Sequence, residues 1–347
     1  MNILFALLSA FILSFVLIPL FKSIAWYFKV LDYPNADKIH KSPTPLLGGA
    51  AVFLSFFIIS LFAAKELNNM YKALFIAGTI IFVSGLADDI KPFSPIKRLI
   101  IQFAAAIILV CGGIYFTFLP NTMLGRIGEI ALTILWITGI TNAFNYLDGL
   151  NGLASGVAII NALFFFIFAS TTKQFVLAYV LIVFIGACAG FFPYNFFQGT
   201  IFLGNSGSTW LGFTLAGLAV IGDWAVGNPI DLVIPILIFG VPIFDMINTT
   251  TVRILDKKTK NMVELLAYRG KDHFHHRLSN IGLGSKGAVF FIYVISIMLG
   301  LNALLLQLSQ GRANVVIILC VSILFFVLIS PLLRVPPQKD EGKGVSR

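Results

Sequence analysis

The sequence predicts an all-α fold, a polytopic integral membrane bundle of about eleven transmembrane helices, and three observations carry that prediction. Hydrophobic residues make up 58% of the chain and charged residues only 11%, with Phe alone contributing 35 residues. Soluble domains average about a quarter charged residues, so the composition belongs to the lipid-embedded class. The apolar residues come in long runs close to the roughly 20 residues that a helix needs to cross a bilayer core. Finally, 19 of the 24 Lys and Arg residues lie in segments that follow odd-numbered runs.

The runs fall near residues 2–22, 46–64, 71–87, 98–118, 126–142, 152–170, 174–192, 207–221, 229–250, 287–307 and 313–333, the third and eighth being short. The first, from Asn2 to Phe21, has no basic residue ahead of it and no small-residue cleavage pattern, and reads as a transmembrane helix rather than a cleaved signal. No linker or repeat divides the chain, so one membrane domain spans 1–347, with a polar loop at 251–286 and a basic tail at 334–347. By the positive-inside rule the amino terminus is expected outside and the tail in the cytoplasm. The net charge of +9 does not indicate nucleic acid, because the basic residues alternate with apolar runs instead of forming one soluble face. Cys111, Cys188 and Cys320 sit inside apolar runs without C-x-x-C spacing and read as packing residues.

All four histidines, His40, His273, His275 and His276, fall on the predicted inner side, as do Asp88, Asp89, Asp148, Asp245 and Asp272. Carboxylates withdrawn from water near a membrane cost several kcal/mol unless paired or metal-bound. Their gathering on one face therefore calls for chemistry. The first inner loop sets His40 and Lys41 beside Pro43-Thr44-Pro45 and Gly48-Gly49, placing cationic donors suited to phosphate on a rigid turn. Headgroup-facing lysines at a helix entry are the plainer alternative.

The third run ends in Asp88-Asp89, followed by Lys91, Lys97 and Arg98. Adjacent carboxylates repel, and make sense as cation ligands or with one acting as a base. Asn142, Asn145, Asp148 and Asn151 then interleave with apolar residues. Asn142 and Asn145 share a helix face, and amide oxygens can ligate magnesium or accept from a sugar hydroxyl. Gly204-Asn205-Ser206-Gly207-Ser208 opens the eighth run, and its backbone N–H groups are expected to favour a phosphate. His273-Phe274-His275-His276-Arg277 lacks the cysteines or H-E-x-x-H spacing of a zinc site and suits an anionic substrate better.

In this order the segments resemble the polyprenyl-phosphate N-acetylhexosamine-1-phosphate transferase family over nearly the whole chain. The resemblance implies an enzyme of the bacterial cytoplasmic (inner) membrane, with its active site on the cytoplasmic face, that begins cell-surface polysaccharide synthesis. A polyprenyl phosphate attacks the β-phosphate of a UDP-activated amino sugar, giving polyprenyl-diphospho-sugar and UMP, with Mg2+ (or Mn2+) as cofactor. By match to the family, Asp88 positions or deprotonates the lipid phosphate and Asp89 helps to hold the site, while Asn145 and Asn205 stand at metal positions. Phe202 is expected to stack on the uracil with Asn151 near the base edge. His40, Lys41, Arg98, Asn142, Asp148, His273, His275, His276 and Arg277 are expected to bind phosphates and sugar. A homodimer is a further expectation.

The His-Phe-His-His-Arg-Leu segment is similar to that of GlcNAc-1-phosphate transferases, which makes UDP-GlcNAc the expected donor and undecaprenyl phosphate the acceptor. Another UDP-N-acetyl amino sugar, or UDP-MurNAc-pentapeptide, is the alternative. One position departs from the family pattern: Asn205 stands where a magnesium-binding Asp is usual, which implies weaker metal binding or an impaired enzyme. A secondary transporter, the rival class, should carry charges near the midplane and two matching halves, and neither is present.

Overall fold

The computed structural model describes residues 2–34, 42–63, 67–224, 233–256 and 273–308, with the single positions 259, 264 and 316 and the segment 320–323. Ten of the predicted apolar runs coincide with helices. They are α1 (Ile3–Tyr27), α2 (Gly48–Ser60), α3 (Asn69–Ile90), α4 (Pro95–Cys111), α5 (Met123–Leu147), α6 (Leu153–Thr171), α7 (Phe175–Phe192), α8 (Gly204–Ile221), the pair α9 (Val233–Ile238) and α10 (Gly240–Leu255), and, after the short α11 (Phe274–Leu278), α12 (Gly284–Leu308). Among the described residues six helices are long and apolar enough to cross a membrane, and the eleventh run, 313–333, lies largely outside the described residues.

Local chemistry sets the helix starts. Asn68 caps α3 by accepting from the Met70 N–H at 3.0 Å, Thr122 caps α5 by accepting from Gly125, and Ser94 precedes Pro95 at the first turn of α4. The ninth run is where the reading by apolar length fails. Gly240 and Pro242 divide it at Phe239 into α9 and α10, because proline supplies no N–H and glycine favours a break. A second departure is a two-residue antiparallel ladder, β1 (Leu31–Asp32) with β2 (Thr44–Pro45), which ties together the two ends of the first inner loop.

The centre of the bundle is α8, surrounded by α2, α3 and α5. Its hydropathy is diluted by Gly, Ser and Thr, which made it look short, yet nearly every residue from Ser206 to Ala219 is buried. Small residues allow backbones to approach, as between membrane helices generally. A Cβ added to Gly85 would lie 2.5 Å from the Ser206 Cα and 2.8 Å from its nitrogen. Further along α8, Trp210 packs its ring against Phe53, Phe56 and Phe184 at centroid distances of 5.6, 5.2 and 5.7 Å. Because α3 and α8 touch backbone to backbone, Gly85→Val should cost about 1–3 kcal/mol or more through overpacking. The expected result is a lower thermal midpoint of the purified protein in detergent; an unchanged midpoint would show that the contact is dispensable.

Candidate active site

The carboxyl-terminal ends of α3 and α5 and the amino-terminal ends of α4 and α8 meet at one end of the bundle. Asp89, in the last turn of α3, reaches across to the first turn of α8. Its Oδ1 accepts the Asn205 N–H at 2.7 Å, and its Oδ2 accepts the Ser206 N–H at 3.0 Å and the Ser206 hydroxyl at 2.8 Å. A carboxylate at a helix amino terminus satisfies orphan donors and meets the positive end of the dipole. The expectation that these N–H groups await a phosphate is thereby corrected: Asp89 already occupies them. Gly204 makes the approach possible, with φ at +72° and no room for a Cβ, which would lie 2.5 Å from both the Asp89 Oδ2 and the Leu46 carbonyl oxygen.

Asp88, one residue earlier, points elsewhere. Buried at 5% exposure, it accepts the Phe93 N–H through Oδ1 at 2.5 Å, while Oδ2 stands 3.9 Å from Nη1 of half-buried Arg98. Both side chains line a small cleft shared with Gln102, Asn205, Thr209 and Ser84. Asn145 donates through Nδ2 to the Asn205 Oδ1 at 3.0 Å and to the Ser208 hydroxyl at 2.9 Å, which joins α5 to the same corner. Asn142, on the same helix, turns instead to α4, donating to the Gln102 Oε1 at 2.7 Å.

Asp148 follows α5 and is half-buried. Burial, then the neighbouring carboxylates of Asp89 and Asp32, hold its carboxyl well above the usual carboxylate range. Asn151 is exposed beside Gly199. Phe202 is half-buried, its backbone tied on both sides by the Phe202 N–H to the Pro45 carbonyl at 2.8 Å and the Gly48 N–H to its own carbonyl at 2.9 Å. The turn between them is organised by Asn195, which accepts from the Gly152 N–H at 2.6 Å and donates to the Ile201 carbonyl at 2.9 Å.

In the histidine segment, His273 is buried between Asp245 and Arg253, and its ring lies 5.0 Å from that of Tyr146. His275 is buried against Gly149, with no hydrogen-bond partner for either ring nitrogen among the described residues. Burial, then the neighbouring His276, pushes its imidazole down to about 3, so it is a neutral group here and not a cationic phosphate ligand. His276 and Arg277 are half-buried. His40 and Lys41 lie outside the described residues.

The structure thus brings Asp88, Asp89, Arg98, Asn145 and Asn205 together, places Asn142 and Asp148 close by, and sets His273 and His275 against the end of α5. Reading by motif passed over Gln102, Asn195 and Asp32. The first two are lone amides in apolar or aromatic surroundings, and only their buried hydrogen bonds reveal them. Asp32 was discoverable as one more inner-side carboxylate.

These features define a class: a multi-pass membrane protein with an oxygen-rich, mixed-charge site at one end of its bundle. Comparison with known proteins makes the class particular. The model of glycosyl transferase family 4 matches residues 71–223. A probable undecaprenyl-phosphate N-acetylglucosaminyl 1-phosphate transferase of Bacillus subtilis (strain 168) is 31% identical over 95% of this chain and 93% of its own length. A decaprenyl-phosphate N-acetylglucosaminephosphotransferase of Mycolicibacterium smegmatis is 28% identical over 95% of this chain and 89% of its own. A phospho-N-acetylmuramoyl-pentapeptide-transferase of Staphylococcus saprophyticus is 25% identical over 88% of this chain and 98% of its own. The chain belongs to glycosyl transferase family 4.

Asp89→Asn keeps the shape but removes the charge and turns an amide donor toward backbone donors. A stability loss of about 2 kcal/mol is expected, read as a lower thermal midpoint. Asp88→Asn, whose neighbours are fewer, should shift the midpoint less; equal shifts would contradict the division of roles between the two carboxylates.

Proposed function

We propose that this protein transfers GlcNAc-1-phosphate from UDP-GlcNAc to undecaprenyl phosphate, releasing UMP, at the cytoplasmic face of the membrane. What carries the reading is the convergence of Asp88, Arg98, Asn145 and Asn205 on one corner of a chain that is 31% identical to a relative named for this activity. The excess of Lys and Arg in the segments on the side of this site supports the orientation.

In the reaction an oxygen of the lipid phosphate attacks the β-phosphorus of the donor. The bond from that phosphorus to the bridging oxygen breaks, and its electron pair leaves with UMP. A phosphate monoester, with a second pKa of about 6, is already largely dianionic at neutral pH, so the protein's task is positioning and charge neutralisation more than proton removal. Arg98 suits the lipid phosphate as a fixed cation, and Asp88 aligns that guanidinium from within the cleft. Phe202 and Asn151 flank the turn expected to receive the uracil.

Asn145, Asn205 and Asp88 fit a magnesium ion in donor type: all three are hard oxygen donors, and Asn205 links the Asn145 amide to the cleft that holds Asp88. When bound, the ion would supply charge neutralisation for the diphosphate. Of the three, only Asp88 is an acidic residue, and the adjacent Asp89 is committed to α8. The site is therefore expected to bind magnesium weakly.

Purified protein given polyprenyl phosphate, Mg2+ and a panel of UDP-sugars including UDP-GlcNAc and UDP-MurNAc-pentapeptide should release UMP with UDP-GlcNAc best. Absence of UMP from every donor, with Asn205→Asp as well as the native chain, would sink the reading. Asp88→Asn should lower kcat by about 100-fold or more. Asn205→Asp should reduce the Mg2+ concentration needed for half-maximal rate severalfold; an unchanged requirement would show that position 205 does not face the ion.

A further inference from the structure

Behind the histidine segment lies a buried polar cluster to which the proposed reaction assigns no part. Asp245 in α10 is 1% exposed and Arg253, two turns later on the same helix, is 2% exposed. Between them sits His273, with Nδ1 3.0 Å from the Asp245 Oδ2 and Nε2 3.2 Å from the Arg253 Nη2. The other carboxylate oxygen of Asp245 accepts the Phe274 N–H at 2.6 Å, and the Thr249 hydroxyl stands 3.4 Å from it. Arginine has no acceptor, so the nitrogen facing Arg253 must accept, and the nitrogen facing Asp245 carries the proton. The two partners therefore select one neutral tautomer.

The consequence reaches the site. His273 packs its ring tilted against that of Tyr146, the neighbour of Asn145, at 5.0 Å, and His275, two residues on, presses on Gly149, the neighbour of Asp148. The Phe274 N–H bond anchors the first turn of α11, which carries His276 and Arg277. Through these contacts α10 seats the whole segment against the polar end of α5. We propose that Asp245 and Arg253 are positioning residues: by fixing the tautomer and place of His273 they hold the 273–277 segment where it meets the UDP-sugar. This rests on the transferase reading for the ligand, but the tautomer can be read without it.

Asp245→Asn tests the proposal because it creates a mismatch that either tautomer of His273 leaves unresolved. With the Asn oxygen still accepting from Phe274, its NH2 faces Nδ1, which must then accept. The proton moves to Nε2 and points at the Arg253 donors. Adding Arg253→Gln removes that conflict, since the Gln oxygen can accept from Nε2–H. In wild type, 15N spectra of histidine-labelled protein should show His273 protonated at Nδ1, and with four histidines in the chain His273→Gln suffices to assign the signal. Asp245→Asn should raise KM for UDP-GlcNAc, and its Kd by calorimetry, about tenfold, the scale of one lost buried hydrogen bond. It should change kcat and the KM for polyprenyl phosphate much less. The Asp245→Asn/Arg253→Gln pair should carry the proton at Nε2 and recover most of the donor affinity, a non-additivity that independent sites do not show.

Equal falls in kcat and apparent affinity, tracking a lower thermal midpoint and without recovery in the pair, would reduce the cluster to a fold element and overturn the proposal. A His273 tautomer that Asp245→Asn does not change would overturn it as well. If wild type neither binds nor consumes UDP-GlcNAc, the transferase reading fails, and the spectra still decide whether Asp245 and Arg253 set the state of His273.

Discussion

The site depends on a carboxylate that ties two helices together. Asp89 leaves α3 and closes the amino terminus of α8 with two backbone N–H groups and one hydroxyl. A charge withdrawn from water is costly unless its lone pairs are satisfied and an opposite potential is present. Here the helix dipole and three donors offset part of that cost. In return the bond fixes the height of α8 relative to α3, and with it the place of Asn205. Since Asn145 bonds to Asn205 and Ser208, the end of α5 is set by the same contact. Gly85 and Gly204 serve this one interaction by letting the two backbones approach.

The composition of α8 follows from that position. A lipid-facing helix gains from large apolar side chains, whereas α8 faces protein on all sides and gains from close backbone packing. Two of its hydroxyls donate within the helix, Ser208 to the Gly204 carbonyl at 3.0 Å and Thr209 to that of Asn205 at 2.6 Å, while Ser206 donates to Asp89. Polar residues of this kind can therefore sit at membrane depth without leaving unmade hydrogen bonds. The same residues lower the hydropathy that marks a span, so the most buried helix was the one with a weak apolar signal.

Much of the fold was legible because apolar runs and polar interruptions both respond to the bilayer. Gathering of the motifs at one end was legible too, since helices that alternate in direction return every second loop to the same face. Division of labour within the motifs was not. Asp88 and Asp89 are neighbours in sequence, but successive residues on a helix point about 100° apart, so one meets Arg98 and the other α8. Asn142 and Asn145 share a face broadly, yet one pairs with Gln102 and the other with Asn205. His273 and His275 read as equivalent ligands, whereas the first is held by Asp245 and Arg253 and the second lies neutral against glycine. Such assignments depend on what stands opposite each side chain, and no spacing rule contains that information.

Charge at the site also separates its scaffold from its chemistry. Asp32, Asp88, Asp89 and Asp148 bring carboxylates to the end of the bundle, and Arg98 is the guanidinium beside Asp88. Two phosphate-bearing substrates would meet a wall of their own sign unless the acidic groups were already spoken for. Asp89 is, by the α8 terminus, and the raised Asp148 favours its neutral form over an unpaired anion. The amides at 145 and 205 add oxygen donors without adding charge. On the proposed reaction, neutralisation must then come from a divalent ion and from the basic side chains of the inner loops, among them Arg98, which lines the cleft. An aspartate at 205 would tighten the ion's hold but deepen the repulsion that the substrates meet without it. On the proposed reaction, Asn205 would shift that balance toward a site in which ion and substrate arrive together.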